Sequence, residues 1–213
     1  TAEIVDGEQM MRESQRLFAQ LCLSPTPNSS SVTTVTAVEE CDDALSNNLH
    51  EECPICFEDL CSEAVGVFSS SKAKDSLSLS TGKEHSTQPC NRVCQHIFHV
   101  DCARELPSHF CPSCNRAFES IIELPDALEQ PELWFRIVDM DGSGSLSEKE
   151  VVEVLKAQLP IDSDYLEKHI GDFWACWDHD GSREISYDEF VEPGRGLLSY
   201  IRLARGKTGN PFA

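Results

Sequence analysis

Six of the eleven cysteines and two of the seven histidines in this 213-residue sequence fall at spacings that suit a metal ion. They are Cys53-Pro54-Ile55-Cys56, then Cys94-Gln95-His96-Ile97-Phe98-His99-Val100-Asp101-Cys102, then Cys111-Pro112-Ser113-Cys114. A single Cys-x-x-Cys pair arises easily by chance, whereas two of them around such a centre do not. Thiolate and imidazole are donors that zinc takes, and eight of them fill two closed tetrahedral sites, as in structural rather than catalytic zinc. A second concentration of chemistry lies at residues 126–192, where 18 Asp and Glu stand against 5 Lys and Arg. Carboxylates that crowded need a reason, and bound cations are one.

The order Cys, Cys, Cys, His, His, Cys, Cys, Cys resembles the RING finger in its two-histidine variant, over residues 50–118. The resemblance implies a cross-braced pair of zinc sites, with Cys53, Cys56, His99 and Cys102 on one ion and Cys94, His96, Cys111 and Cys114 on the other. It implies a RING-type E3 ubiquitin ligase, which positions a ubiquitin-loaded conjugating enzyme so that ubiquitin passes to a substrate lysine. The partners are then a ubiquitin-conjugating enzyme, ubiquitin and a protein substrate that the sequence does not identify. Three apolar features of the family touch the conjugating enzyme, and Ile55, Leu106 and Pro112 stand at those places. Leu106 replaces a common tryptophan, and Pro107 after it should shorten or distort the helix. Many active members place a cation just after the last ligand to bridge to ubiquitin. Here Asn115 follows Cys114 and Arg116 is the candidate, with an ordinary surface arginine as the alternative. No side chain in this module reads as a nucleophile or general base, so its contribution is orientation of another enzyme's thioester.

Thirty-seven residues separate Cys56 from Cys94, and their middle, 69–87, is rich in Ser, Lys and Gly and reads as disordered. Loop closure grows only logarithmically, so such a loop costs about 1 kcal/mol more than one of about ten residues. Structural zinc contributes roughly 10–16 kcal/mol per site in small peptides, which outweighs it. The loop does leave a ligand choice open. Cys61, His85 and Cys90 are in reach of the same ions, and Cys90 competes with Cys94 for the third ligand place; Cys-x-His spacing favours Cys94.

In the acidic segment, Asp139 to Glu150 resembles the EF-hand calcium loop at each diagnostic place. The resemblance assigns side-chain oxygens to Asp139, Asp141 and Ser143, a backbone carbonyl to Ser145, the water-bridged place to Ser147 and a bidentate carboxylate to Glu150. Gly144 provides the sharp turn. A second loop starts 39 residues later, with Asp178, Asp180, Ser182, the carbonyl of Glu184, Ser186 and Glu189 in register. Arg183 stands where glycine is expected at positive φ, a left-handed geometry that costs a non-glycine residue about 1–2 kcal/mol, so a weaker second site is expected. Apolar stripes flank both loops: Leu133, Trp134, Ile137, Val138, Val151, Val154 and Leu155 around the first, and Leu166, Ile170, Phe173, Trp174, Trp177, Phe190 and Val191 around the second. They read as the core of a four-helix pair, part of which becomes a target groove if calcium opens it.

The elements that must position these sites are small. The expected fold is α+β: a zinc cross-braced RING finger followed by a mainly helical EF-hand pair, with disordered linkers. Its divisions are 1–49 (a helix near 3–21 with Leu17 and Phe18, then a Pro/Ser linker), 50–118 with an internal loop at about 57–93, 126–193, and an amphipathic tail at 194–213. The tail, with Leu197, Leu198, Tyr200, Ile201 and Leu203, reads as a short basic amphipathic helix expected to pack on the acidic module, with docking of a partner as the alternative. The net charge of −20 argues against a nucleic-acid groove, and no apolar run is long enough for a membrane span. No secretion signal is visible, and the missing initiator Met is what a fragment or a processed product shows. Cysteines on metal spacing point to reduced, intracellular surroundings, cytoplasmic or nuclear, rather than to disulfides. Two Zn2+ and one or two Ca2+ are the expected cofactors. The leading expectation is a ligase that calcium tunes; the other is a non-catalytic zinc- and calcium-binding adaptor.

Overall fold

Val65-Gly66-Val67-Phe68, lying within the long span between the first two ligand groups, forms the centre of an antiparallel sheet. In the computed structural model, which describes residues 12, 15–18, 51–70 and 91–208, β1 (Val65–Ser69) pairs with β2 (Arg92–His99) on one side and β3 (Ser120–Glu123) on the other. Every residue of β1 is buried. Gly66 is required by close approach: a Cβ there would lie 2.9 Å from the Ile122 carbonyl oxygen and 3.1 Å from Val100 Cγ2. Phe68 stacks on Phe118 at 3.9 Å between centroids and leans on Phe98 at 4.9 Å, which makes the core of this half aromatic. The sheet runs on to Glu123, past the limit at 118 that the ligand pattern suggests, because Ile121 and Ile122 pair with β1.

Both ends of the long span are ordered. A 3-10 turn (Leu60–Ser62) precedes β1, and β2 begins at Arg92. The Ser-rich middle lies outside the described residues, with His85 and Cys90, and so do the Pro/Ser linker and residues 32–50. Helix α1 (Val100–Arg104) follows β2 directly and has only five residues, with Glu105 as its C-cap. Leu106 and Pro107 lie beyond it, as expected where the residue before a proline avoids the helical region.

The acidic segment folds as α2 (Pro131–Val138), β4 (Ser145–Ser147), α3 (Glu148–Gln158), α4 (Ser163–Trp177), β5 (Glu184–Ser186) and α5 (Tyr187–Val191). Pro131 opens α2, where a missing N–H is no loss. Ser147 and Ser186 each start a helix through a capping box with the glutamate three residues on. β4 and β5 pair antiparallel with Leu146 opposite Ile185, both fully buried. Trp134 stacks on Phe190 at 5.2 Å and 4°, and its indole N–H donates to Gln158 Oε1 at 2.6 Å.

Helix α6 (Leu197–Thr208) buries Leu197, Tyr200, Ile201 and Ala204, one stripe at i, i+3, i+4 and i+7, so the tail does pack back. Of the amino-terminal helix, residue 12 and residues 15–18 are described and helical. Phe18 is completely buried, edge-on to Phe173, Trp177 and Tyr200 at 5.2, 6.1 and 5.2 Å. The two halves touch where α3 packs on β2 and the 3-10 turn, and Lys156 reaches Glu51 at 3.9 Å while pairing with Glu167. No helix among the described residues is long and apolar enough to cross a membrane.

Candidate metal centres

The eight Cys and His donors form two groups of four, and within each group the donor atoms all lie within 4.8 Å of one another. Cys53 and Cys56 meet His99, the last residue of β2, and Cys102 in α1. Cys94 and His96, earlier on β2, meet Cys111 and Cys114. One strand thus feeds both groups. His99 Nε2 lies 3.1 Å from the Asp59 carbonyl oxygen. A carbonyl only accepts, so Nε2 carries the proton and Nδ1 is left as the donor atom, 3.3 Å from Cys56 Sγ and 3.9 Å from Cys102 Sγ. That is the outer hydrogen bond that orients ligating histidines in metal sites. In the second group His96 Nδ1 is 3.6 Å from Cys111 Sγ.

Both Cys-x-x-Cys turns close the same way. Phe57 N–H donates to Cys53 O at 2.9 Å and Cys53 N–H to Glu58 O at 2.8 Å; Asn115 N–H donates to Cys111 O at 2.7 Å and Cys111 N–H to Arg116 O at 2.9 Å. The residue after the second cysteine is left-handed in each, φ +63° at Phe57 and +58° at Asn115. Asparagine tolerates that geometry and phenylalanine does not.

Burial dominates the electrostatics of the thiols. It pushes Cys94 and Cys102 up to about 12 and raises Cys111. Burial also acts against Cys53, but the N–H groups of Cys56, His99 and Ile55 outweigh it and leave that thiol lowered. Cys114 is lowered likewise, by the Arg116 N–H, by Cys111 and Cys94, and by the Arg116 charge. Cys53 in one group and Cys114 in the other are thus easier to ionise, while Cys102 beside the first and Cys94 and Cys111 beside the second resist negative charge, which a divalent cation would offset. His96 is lowered, first by burial and then by Arg92, Arg116 and Lys149, against Glu153, so the neutral ring that ligates is favoured. Cys61 lies in neither group; burial and Asp59 raise it.

The surface residues singled out from the sequence are spread around these turns. Ile55 and Leu106 are half-buried against the core, Pro112 is exposed, and Arg116 is exposed with one donor on the Val93 carbonyl at 2.7 Å.

The two acidic loops are near copies. Asp139 accepts from the N–H groups of Gly142, Ser143 and Gly144 at 2.9–3.0 Å, and Asp141 from Ser143 N–H at 2.9 Å. Ser143 Oγ donates to Ser145 O at 3.0 Å. Asp178 accepts from Ser182 and Arg183 N–H at 3.0 and 2.8 Å, Asp180 from Ser182 N–H at 2.9 Å, and Ser182 Oγ donates to Glu184 O at 2.9 Å. Glu150 and Glu189 fold back over their loops, accepting from Met140 and His179 N–H, each at 2.8 Å. Carboxylate oxygens of Asp139, Asp141 and Glu150, and of Asp178, Asp180 and Glu189, converge within 4.8 Å. The serines and the Glu184 carbonyl stand alongside. Gly144 has φ +87° and Arg183 +72°, the left-handed turn foreseen at both places. Two contacts escaped the sequence: Ser145 Oγ donates across the sheet to the Glu184 carboxylate, and His179 Nδ1 is 2.7 Å from Glu192 Oε2. The capping boxes are a further finding of the structure, with Ser-x-x-Glu as the signal that marks them and the same glutamate serving helix and loop.

Hard oxygens at these places in two loops joined by a short ribbon define a calcium-binding EF-hand domain. Residues 132–192 match the family model of the EF-hand domain pair. Within the curated proteins, parvalbumin alpha of Callorhinchus milii is 38% identical over 61 residues, which is 29% of this chain and 56% of that protein's length. No solved structure matches the chain.

Proposed function

We propose that the chain is a RING-type E3 ubiquitin ligase that binds two zinc ions and carries a calcium-binding EF-hand pair. The observation that carries this reading is the interleaving of eight Cys and His donors into two groups of four, fed by one strand. The donor sets suit zinc: each has three thiols and one imidazole, the composition of closed tetrahedral sites. The carbonyl of Asp59 frees Nδ1 of His99, and burial favours the neutral ring of His96. Cys53, Cys56, His99 and Cys102 would hold one ion, and Cys94, His96, Cys111 and Cys114 the other. Zinc when bound supplies structure, by tying the two turns to β2 and α1.

What the chain itself does is dock and orient. Ile55, Leu106 and Pro112 would present apolar surface to a ubiquitin-conjugating enzyme, and Arg116 a cation to ubiquitin. No general base is needed, because the thioester and its chemistry belong to the conjugating enzyme and a fixed orientation is the catalytic effect. The test is an autoubiquitination assay of the zinc-loaded chain against a panel of conjugating enzymes. Ubiquitin chains that vanish in Ile55→Ala are expected.

A second reading, a non-catalytic zinc- and calcium-binding adaptor, is favoured by one observation. Helix α1 ends at Arg104, before the apolar residue it would present, and Arg116 has a donor committed to Val93. No chains with any conjugating enzyme, from protein holding two zinc ions, would select it.

A further inference from the structure

Helix α3 belongs to both halves of the chain. Its first turn carries Glu150, which closes the first calcium loop by accepting from Met140 N–H at 2.8 Å and from the Ser147 N–H and hydroxyl at 2.8 and 2.7 Å. The body of the helix rests on β2 and the 3-10 turn. A cleft between loop and strand is lined by Asp141, Ser147, Glu150 and Glu153 on one side and by Arg92 and Gln95 on the other. Gln95 stands between Cys94 and His96, and Arg92 donates to the carbonyls of Cys94 and Gln95. Glu153 and Lys149, one turn apart on α3, are among the charges that His96 feels. On the other flank, the 3-10 turn follows directly on Asp59, whose carbonyl holds His99. The second loop is joined to the first by the β4–β5 ribbon, but its closing residue, Glu189, lies in α5, which packs on α6 and β5.

We propose that calcium in the first loop, acting through α3, steadies β2 and so controls how firmly the group of Cys94, His96, Cys111 and Cys114 keeps its metal, and that the second loop does not. This rests on the zinc reading above. The reason is electrostatic and mechanical together. Asp139, Asp141 and Glu150 place oxygens within 4.8 Å of one another, an arrangement that repels itself unless a cation joins it. If Glu150 swings out, the capping box that starts α3 is lost with it, and the turn that loosens is the start of the helix that rests on β2, facing Arg92 and Gln95 across the cleft. Calcium binds the closed arrangement better and can shift the strand by as much as that difference in affinity. The coupling is reciprocal, so metal in the Cys/His group must tighten calcium in the first loop by the same factor.

The experiment uses the full chain, with its zinc content first measured by metal analysis. Transfer of zinc to a chromophoric chelator is followed with saturating calcium and without. At the competition equilibrium, the zinc of the second group should be held at least about fivefold more tightly with calcium, the low end of ordinary coupling between sites. Glu150→Gln should abolish the effect and Glu189→Gln should keep it. Asp141→Asn, an exposed loop ligand outside the capping box, repeats the first test in a variant whose helix start is intact. Amide exchange across residues 92–99 should follow the same pattern. Two zinc ions per chain with calcium-independent transfer would overturn the coupling and leave the zinc reading standing. Equal loss of the effect in Glu150→Gln and Glu189→Gln would also overturn it, because calcium would then act on the pair as a whole. A chain that holds no zinc would overturn both.

Discussion

Replacing Arg183 separates backbone strain from charge in the second calcium loop. Its φ of +72° corresponds to +87° at Gly144 in the first loop. Left-handed geometry costs a non-glycine residue about 1–2 kcal/mol, and glycine gives back about 0.5–1 kcal/mol through its freer unfolded chain. Relief should therefore net about 1 kcal/mol. Arg183→Gly alone is ambiguous, since it also removes a positive charge beside Asp178 and Asp180. Arg183→Ala removes the charge and keeps the Cβ, so the Gly-minus-Ala difference isolates the backbone. Gly144→Ala is the mirror test: a Cβ there meets nothing within 4 Å, so only the dihedral is penalised. Calcium titration by tryptophan fluorescence, with Trp177 directly before the loop, and melting in saturating calcium read the result. Glycine over alanine at 183 should gain about 2–4 °C per kcal/mol in a chain of this size. Where the strain is relieved only on binding, it should instead tighten calcium about fivefold. Strain removed from the folded protein cannot be removed again on binding, so the two gains share one total. Identical Gly and Ala variants at 183, or a harmless Gly144→Ala, would refute the reasoning.

The two loops should also part under acid. Burial raises Asp139 above its ordinary 3.8, although Asp141 beside it is lowered by Ser143. In the second loop the Ser182 hydroxyl and N–H lower Asp180; Glu189 is lowered too, burial being outweighed by Ser186, His179 and Asp180. A raised carboxyl takes its proton at higher pH, and depressed ones hold their charge, and their stabilisation, until pH falls through their lowered values. The calcium affinity of the first loop should therefore fall more steeply than that of the second as pH falls below neutrality towards 4, read with Glu189→Gln and Glu150→Gln to isolate each loop; a steeper fall in the second would exclude this. Phe57 has φ +63° and is 73% exposed, so Phe57→Gly should stabilise the metal-loaded chain by about 1 kcal/mol in chemical denaturation. A loss of stability instead would mean that the ring makes a contact the fold depends on.

The donors and loops were legible because metal chemistry fixes residue type and spacing together. Cys-x-x-Cys and the Asp-x-Asp-x-Ser-Gly run need no tertiary information, and each led to side chains that do converge. Short α1 was legible as well, through Pro107. β1 was not, because five buried residues in a row carry no period, and β3 was hidden by its small size. The left-handed residues after each Cys-x-x-Cys arise from the turn's own hydrogen bonds, and nothing in a phenylalanine announces them. The seating of α3 on β2 depends on which faces meet, which no local pattern reports.

Phe18 is enclosed by Phe173, Trp177 and Tyr200, residues near the opposite end of the sequence. During translation it precedes the first of these partners by more than 150 residues, and the set is complete only once Tyr200 has been made. The calcium module therefore cannot complete its core while the ribosome is still producing α5 and the start of α6. Contacts of such long sequence separation form late and slowly, and an aromatic side chain waiting for them is exposed to misassociation. A fragment excised at residues 126–193 would carry both calcium loops but neither Phe18 nor Tyr200, leaving Trp177 with Phe173 and Trp174 but without the two rings that cover its other side.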